Sequence, residues 1–301
     1  MILRSLKYTV DQFNGGGSLE TLAVVKNVVF DKTGTLTRLE PVTSAIQGAA
    51  MLAAHSEHPV ARAVSGSSAG VLSGNVVEHP GQGLVGADGS RLGSAEFVGG
   101  PANDNLSGNI RQEQSLWYRS ADGSVEEISI AEIPVDGARR LADGLRRRGL
   151  AISIVSGDRE PSVRRIAREL GIASFSANVS PEDKLGKIRP DTLFVGDGIN
   201  DAAAMSAAAV SASPCAATDI SRNAADILLA TPKIDTLLDA LDIARSARRL
   251  IVQNLLFAAA YNIIALPVAL LNGLTPLVAA VLMSSSSILV MLNAMRLGTQ
   301  K

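Results

Sequence analysis

Cysteine is almost missing from this chain. Cys215 is the single one in 301 residues, which excludes an intrachain disulfide and any metal cage built from cysteine alone. Neither sign of charge dominates: 28 Lys and Arg face 29 Asp and Glu, for a net charge of −1 and a pI near 6.3. Nothing in that balance points to nucleic-acid binding. The Arg146–Arg148 cluster does not change this, because cations suit the end of a helix, where they complement its dipole. No signal peptide is evident in Met1–Gly17, which carries charges and the run Gly15-Gly16-Gly17; Met1–Ser18 is expected to be an arm or linker. The last scarcity is local: no charged residue occurs from Ile251 to Met295. Mean hydropathy is +0.22, high for a soluble protein, and the apolar residues concentrate toward the C-terminus. The length allows two or three domains.

What the chain does have is a heptapeptide, Asp31-Lys32-Thr33-Gly34-Thr35-Leu36-Thr37, at the end of the apolar run Val24–Phe30. A short, β-branched, apolar run predicts a buried parallel strand. Its terminal carboxylate then lies where open α/β sheets place ligands. The loop that follows is rich in hydroxyls and backbone N–H groups, and Gly34 permits a tight path. A lone Asp there could simply cap a turn; in this loop it can also act as a nucleophile toward a phosphoryl group. Two further strands end in polar motifs: Ala151–Val155 in Ser156-Gly157-Asp158, and Thr192–Val195 in Gly196-Asp197-Gly198-Ile199-Asn200-Asp201. Ser156 or Asp158 could equally cap the next helix. Ala138–Arg148 and Val163–Leu170 read as helices stopped by Gly149 and Gly171. Strand, motif, helix, three times over, predicts a doubly wound sheet.

Between Arg38 and about Ala131 lies an insertion long enough for a small domain. Helical character is expected at Ala45–Ala54 and Val60–Val64, and strands at Val71–Val77, Gly83–Val85 and Val125–Ile130. Gly99–Asn109 reads as a loop. His58-Pro59 opens a helical stretch, so His58 and Glu57 could be no more than helix caps. Gly81-Gln82-Gly83 could be only a turn, though missing side chains also let backbone approach a ligand.

Leu250–Leu271 and Leu277–Leu292 are apolar runs joined by Asn272-Gly273, each approaching the ~20 residues that span a bilayer. Arg245, Arg248 and Arg249 before them and Arg296 and Lys301 after them put both outer ends on the cytoplasmic side. The alternative is two buried helices. Within the runs, Tyr261, Asn262, Met283 and Ser287 could be helix–helix contacts, while a soft thioether also suits Cu(I).

Asp31–Thr37 resembles the phosphorylation motif of the P-type ATPases, Gly196–Asp201 their hinge motif, and Ser56-Glu57-His58-Pro59 the nucleotide-domain motif of their heavy-metal branch. The resemblance runs from about Leu19 to Leu297. It implies a haloacid-dehalogenase-like α/β fold: a phosphorylation domain at 19–37 and 132–235, an inserted α+β nucleotide-binding domain at 38–131, and a C-terminal transmembrane hairpin at 236–301. It implies ATP and Mg²⁺ as cofactors. Asp31 is then the nucleophile, and Asp31, Asp197 and the Thr33 backbone carbonyl are ligands of Mg²⁺. Lys32, Thr33, Ser156, Gly157, Asp158 and Lys184 complete the reaction site, with Asn200 and Asp201 ordering its surroundings. Glu57, His58, Gly81 and Gly83 line the nucleotide pocket. Tyr261, Asn262, Met283 and Ser287 resemble a site for transported Cu(I), and Asn293–Leu297 the ending of such pumps. The chain departs from the family pattern at Ser156, where threonine is usual, at Val135, where arginine is frequent, and in the shorter spacing from Lys184 to Asp197. It contains no actuator motif Thr-Gly-Glu and no Cys-Pro-Cys. It therefore resembles only the C-terminal half of a pump in the cytoplasmic membrane, with lipid, metal ion and a separate chain supplying the other half as expected partners. Two other readings stay open. One is a membrane-anchored phosphohydrolase, against which Thr33 speaks because phosphatases of this fold usually carry a second Asp there. The other is a non-catalytic remnant.

Overall fold

The three apolar runs that end in motifs are neighbouring strands. The computed structural model describes residues 10–13, 17–42, 46–56, 58–66, 74–100, 114–197, 201–214, 225–229, 231, 233–272 and 276–296. In chain order the elements are β1 (Val10–Phe13), α1 (Ser18–Leu22), β2 (Asn27–Phe30), β3 (Thr37–Pro41), α2 (Gln47–Ala53), α3 (Pro59–Ser65), β4 (Val77–His79), β5 (Gly83–Val85), β6 (Arg91–Gly93), α4 (Ala95–Val98), β7 (Gln114–Arg119) and β8 (Val125–Pro134). Then come α5 (Ala138–Arg147), β9 (Ala151–Val155), α6 (Glu160–Leu170), β10 (Ser174–Ser176), α7 (Pro181–Leu185), β11 (Thr192–Val195), α8 (Ala202–Ala207), β12 (Val210–Ser213), β13 (Ile227–Leu229), α9 (Thr236–Asn272) and α10 (Pro276–Met295). Two compact units result, 1–36 with 135–301, and 37–134.

In the first unit the sheet order is β1-β13-β12-β11-β2-β9-β10. Every pair is parallel except β1 with β13. Parallel strands need cover on both faces, and the apolar sequences of β2, β9 and β11 supply it. Phe30, Ile154, Leu193 and Val195 are buried with Leu141 and Leu145 of α5 and Val163, Ile166 and Leu170 of α6. Removing each such side chain from water contributes ~1.5–3 kcal/mol. Register places Phe30 beside Val195 and Ile154, so the motifs after these three strands emerge at one edge. The segment expected as arm or linker contributes β1, antiparallel to β13. The short link from Lys184 to Asp197 is accommodated because α7 is only five residues long and Ser180 caps it, accepting from Asp183 N at 3.1 Å.

The second unit is an antiparallel sheet, β3-β8-β7-β6-β5-β4, whose core with α2 and α3 includes Leu52, Val64, Leu92, Ile128 and Ile130. The strand expected at Val71–Val77 is instead β4, with 71–73 outside the described residues.

The apolar tail forms α9 and α10. Asn293 Nδ2 of α10 donates to Asn254 Oδ1 of α9 at 2.8 Å. Pro267 lies inside α9, where it removes one backbone donor. Among the described residues no helix is long and apolar enough to cross a membrane; the side chains of 268–280 lie outside that description.

Candidate active site

β2 ends because its register runs out at Asp31, whose N–H still donates to Val195 O on β11 at 2.8 Å. The chain then turns through Gly34 at φ +75°. A Cβ on Gly34 would stand 2.8 Å from Asp197 Oδ2, so the missing side chain is what lets the two loops meet. Gly196 plays the same part on the other side: a Cβ there would lie 2.7 Å from Asp201 Oδ2. Three carboxylates, Asp31, Asp197 and Asp201, thus gather at the carboxyl ends of β2 and β11.

One cation stands among them. Lys184 Nζ lies 2.7 Å from Asp31 Oδ1 and 2.6 Å from Asp201 Oδ1. All three are buried, with 5, 6 and 1% of their surface exposed. Burial pushes the Asp31 carboxyl up, Asp201 and Asp197 push it further, and Lys184 pulls it back, leaving it at about 7. Burial alone would lower the Lys184 ammonium; the charges and hydrogen bonds of Asp31 and Asp201 outweigh that and raise it. Asp31 and Asp201 share this one ammonium, and carboxylates gathered this closely favour a bound cation.

A second ion pair ties the loops after β2 and β9. Lys32 Nζ lies 2.6 Å from Asp158 Oδ2 and donates to Ser162 Oγ at 3.1 Å. Thr33 Oγ1 donates to the same Asp158 oxygen at 3.0 Å. Burial tends to raise the Asp158 carboxyl, but Lys32, Thr33 and Ser156 bring it below its ordinary value. Ser156 Oγ accepts from Asp158 N at 3.2 Å, and Gly157 lies between them in this turn. The structure therefore brings Asp31, Lys32, Thr33, Ser156, Gly157, Asp158, Lys184, Asp197 and Asp201 into one constellation with three ion pairs, two of which share Lys184. Asn200 lies outside the described residues. The sequence reading passed over Ser162, whose only signal was its place in the first turn of α6, and singled out no role for Thr35. The Thr35 hydroxyl is buried in the same loop with no hydrogen-bond partner.

Mg²⁺ fits this donor set. It needs only one or two carboxylates, with water and substrate oxygens filling the rest of its shell. Among the described residues no three acidic, histidine or cysteine side chains are arranged to hold a metal by themselves, and this ion does not require it.

The second unit holds a cavity of about 290 Å³ lined by Ser56, His58, Glu78, Gly81, Gly83 and Gly93, among others. His58 sits at the N-cap of α3, with Pro59 next, and its Nδ1 accepts from Val60 N at 3.3 Å. That leaves the neutral ring's proton on Nε2. Gly83 pairs with Gly93 across β5 and β6. A Cβ on Gly83 would stand 2.1 Å from Leu92 O, and one on Gly93 would stand 2.2 Å from Gln82 O. Glu78 was not read from sequence; its Oε1 accepts from Ser56 Oγ at 3.0 Å and fastens the loop before α3 to β4. Glu57 lies outside the described residues.

In the tail the expected metal residues are not brought together by any contact described. Asn262 Nδ2 donates to Ala258 O of its own helix at 3.0 Å. Tyr261 is half-buried and Ser287 exposed, and the Met283 side chain is outside the described part.

Comparison with known proteins gives these positions a context. The model of the haloacid dehalogenase-like hydrolase family matches residues 25–209. The nitrogen fixation protein FixI of Rhizobium meliloti is 39% identical over 94% of this chain and 39% of its own length. The probable copper-transporting ATPase SynA of Synechococcus is 34% identical over 94% of this chain and 40% of its own. The crystal structure of a zinc-transporting PIB-type ATPase in the E2.Pi state superposes with a TM-score of 0.72 at 26% identity, covering 98% of this chain and 54% of that one. The chain spans about two fifths of the length of the curated relatives it matches.

Proposed function

Because the chain belongs to the haloacid dehalogenase-like hydrolases, and its homologues are heavy-metal P-type ATPases, we propose that it carries the phosphoryl-transfer part of a metal-transport ATPase. An Asp31 oxygen attacks the γ-phosphorus of ATP, the bond to the β,γ-bridging oxygen breaks, ADP leaves, and Asp31 carries the phosphoryl group as an acyl phosphate. Asp31, Asp197 and the Thr33 carbonyl would hold Mg²⁺, which when bound supplies positive charge to the phosphoryl oxygens. The protein's own contribution is placement and charge. Lys184 keeps Asp31 oriented and offsets charge on the transferred group. Asp201 holds Lys184. Lys32 and Asp158 clamp the loops after β2 and β9, with Ser156 in the same turn as Asp158. Thr33 stands where phosphatases of this fold usually carry a second Asp, so the general acid and base of that position is missing, which favours a long-lived intermediate.

The single observation that carries this reading is the Lys184 ammonium within 2.7 Å of both Asp31 and Asp201, with Asp197 against Gly34. The second unit takes the nucleotide's base end in the cavity beside His58, where the Gly83–Gly93 pair keeps side chains out of the way. We place α10 and the part of α9 from Ile251 onward in the membrane: their uncharged run is supported by exposed apolar side chains such as Leu255, Phe257, Ile263 and Ile264. Cu(I) as cargo is supported by the names of copper-transporting relatives and by the Tyr261, Asn262, Met283 and Ser287 pattern. Incubation with γ-labelled ATP and Mg²⁺ tests the core of the proposal. An acid-stable, hydroxylamine-sensitive label that disappears in Asp31→Asn is expected. Label persisting in Asp31→Asn, or fast release of phosphate from small phosphoesters without any phosphoenzyme, would overturn it.

A further inference from the structure

Three arginines unconnected with phosphoryl transfer share one groove. Arg245, Arg248 and Arg249 of α9, with Val252, Gln253 and Ala23, line a cavity of about 560 Å³. The groove exists because α1 packs against α9 and the chain leaves α1 with the small Ala23. Spacing of three and four residues puts the guanidinium groups on one helix face, where like charges repel. Among the described residues none has a carboxylate within ion-pair distance. The nearest acid on that stretch, Asp242, is engaged by Arg148, and Arg249 reaches only the Ser246 hydroxyl, at 3.2 Å. One turn further along, the surface changes completely. Ile251, Val252, Leu255, Leu256 and Phe257 are exposed, Leu255 by 69%, and no charge follows until Arg296.

We propose that this groove binds the phosphodiester headgroup of an anionic phospholipid of the cytoplasmic leaflet, its acyl chains lying along the apolar face of α9. Guanidinium groups hold phosphate oxygens in pairs, and the Gln253 amide can donate to the glycerol. The adjoining exposed apolar run is what favours a lipid over a soluble phosphate. This inference rests on the membrane placement of α9 and α10.

The test uses the full chain with nanodiscs of phosphatidylcholine alone and of phosphatidylcholine mixed with phosphatidylglycerol. Phosphatidylglycerol discs should bind more tightly. The triple variant Arg245→Gln/Arg248→Gln/Arg249→Gln should lose roughly a hundredfold of that affinity, about fivefold for each charge. A control variant, Arg164→Gln/Arg165→Gln on α6, should lose none. The single variant Arg248→Gln, expected to lose about fivefold, guards against misfolding of the triple one. Equal affinity for both kinds of disc, unchanged affinity in the arginine variants, or equal protection against thermal unfolding by inorganic phosphate and by lipid would each overturn the headgroup site. A chain that enters neither disc would remove the membrane placement and this proposal with it; one that enters both alike would remove only the headgroup site.

Discussion

The two units solve unlike problems with unlike materials. The first builds its site from charge: Lys184 buried between Asp31 and Asp201, and a buried Lys32 on the half-exposed Asp158. The second builds its cavity largely from neutral groups and from missing side chains, Gly81, Gly83 and Gly93. Buried charges compensate one another, so removing one leaves its partner's charge uncompensated. A cavity shaped by backbone depends on space, and it answers to volume rather than to charge. Stabilising a transferring phosphoryl group calls for the first kind of site; holding a flat base that leaves again calls for the second.

The sharpest way to break this contrast is Lys184→Met. It leaves Asp31 and Asp201 buried without a cation, and loss of one partner of a buried pair costs about 3–5 kcal/mol. Phosphoenzyme formation should fall by about 10²–10³, the usual loss for one preorganised charge contact. Thermal melts and label incorporation measure both. If label formation stays within a few fold of the parent, the ammonium is not part of the reaction.

In the second unit the corresponding test is a pair of glycines. Gly83→Ala drives a Cβ to 2.1 Å from Leu92 O and also strains a φ of +153°, whereas Gly81→Ala meets nothing within 4 Å and only strains a φ of +74°. Gly83→Ala should destabilise the unit by about 2–3 kcal/mol, in the range of overpacking. It should also weaken nucleotide binding at least tenfold. Gly81→Ala should cost about 1 kcal/mol and little affinity. Similar losses at both would mean that backbone conformation, not room, shapes the cavity.

Asp31→Asn separates charge from chemistry. The folded-state carboxyl is raised to about 7 from 3.8, so the folded chain binds a proton there that the unfolded chain does not. The stability linked to that proton is full below about pH 4 and is lost as pH rises to 7. Asparagine stays neutral throughout. In Mg²⁺-free buffer Asp31→Asn should therefore melt higher than the parent above pH 7, by an amount on the order of 1–3 kcal/mol. The gap should close as pH falls from 7 toward 4. A gap that stays constant across this range would show that the carboxylate is not held at a cost.

How far these features could be read beforehand follows the same division. β2, β9 and β11 were legible because strands buried on both faces are continuous apolar runs, and the motifs after them mark where the runs stop. β12 was not legible, since its sequence Val-Ser-Ala-Ser is half polar and yet all four residues are buried. Its Ser211 is satisfied by Asp226 at 2.9 Å, a partner that sequence spacing does not announce. β1 owes its form to pairing with β13, and β3 and β7 to neighbours in the antiparallel sheet. The residue types gathered around Asp31 were legible, and the resemblance already placed Lys184 in one site with Asp31, but the partner of Lys32 was not legible. Lys32 sits beside Asp31 in sequence and binds Asp158, while Lys184, 153 residues away, supplies the cation to Asp31. Tertiary register decides such pairings, and it brings Glu78 to Ser56 and Asn254 to Asn293 in the same way.

The smallest effect is expected at His58, and it tests whether the second cavity acts on binding alone. His58 does two things: its Nδ1 caps α3 by accepting from Val60 N at 3.3 Å, and its ring borders the cavity. His58→Ala removes both; His58→Asn keeps a side-chain acceptor for the cap and removes the ring. The cap is worth about 1 kcal/mol, so His58→Ala should lower the melting point and His58→Asn should recover most of it. Nucleotide affinity should fall by about tenfold in both, because in the proposed site the ring and not the cap meets the ligand. At saturating ATP both variants should form phosphoenzyme at the parent's rate, since neither alters the charges around Asp31. That outcome, a raised KM with kcat unchanged, is the signature of uniform binding. A fall in the saturated rate instead would mean that the neutral cavity shapes the transition state as well, and the division of labour between the two units would have to be given up.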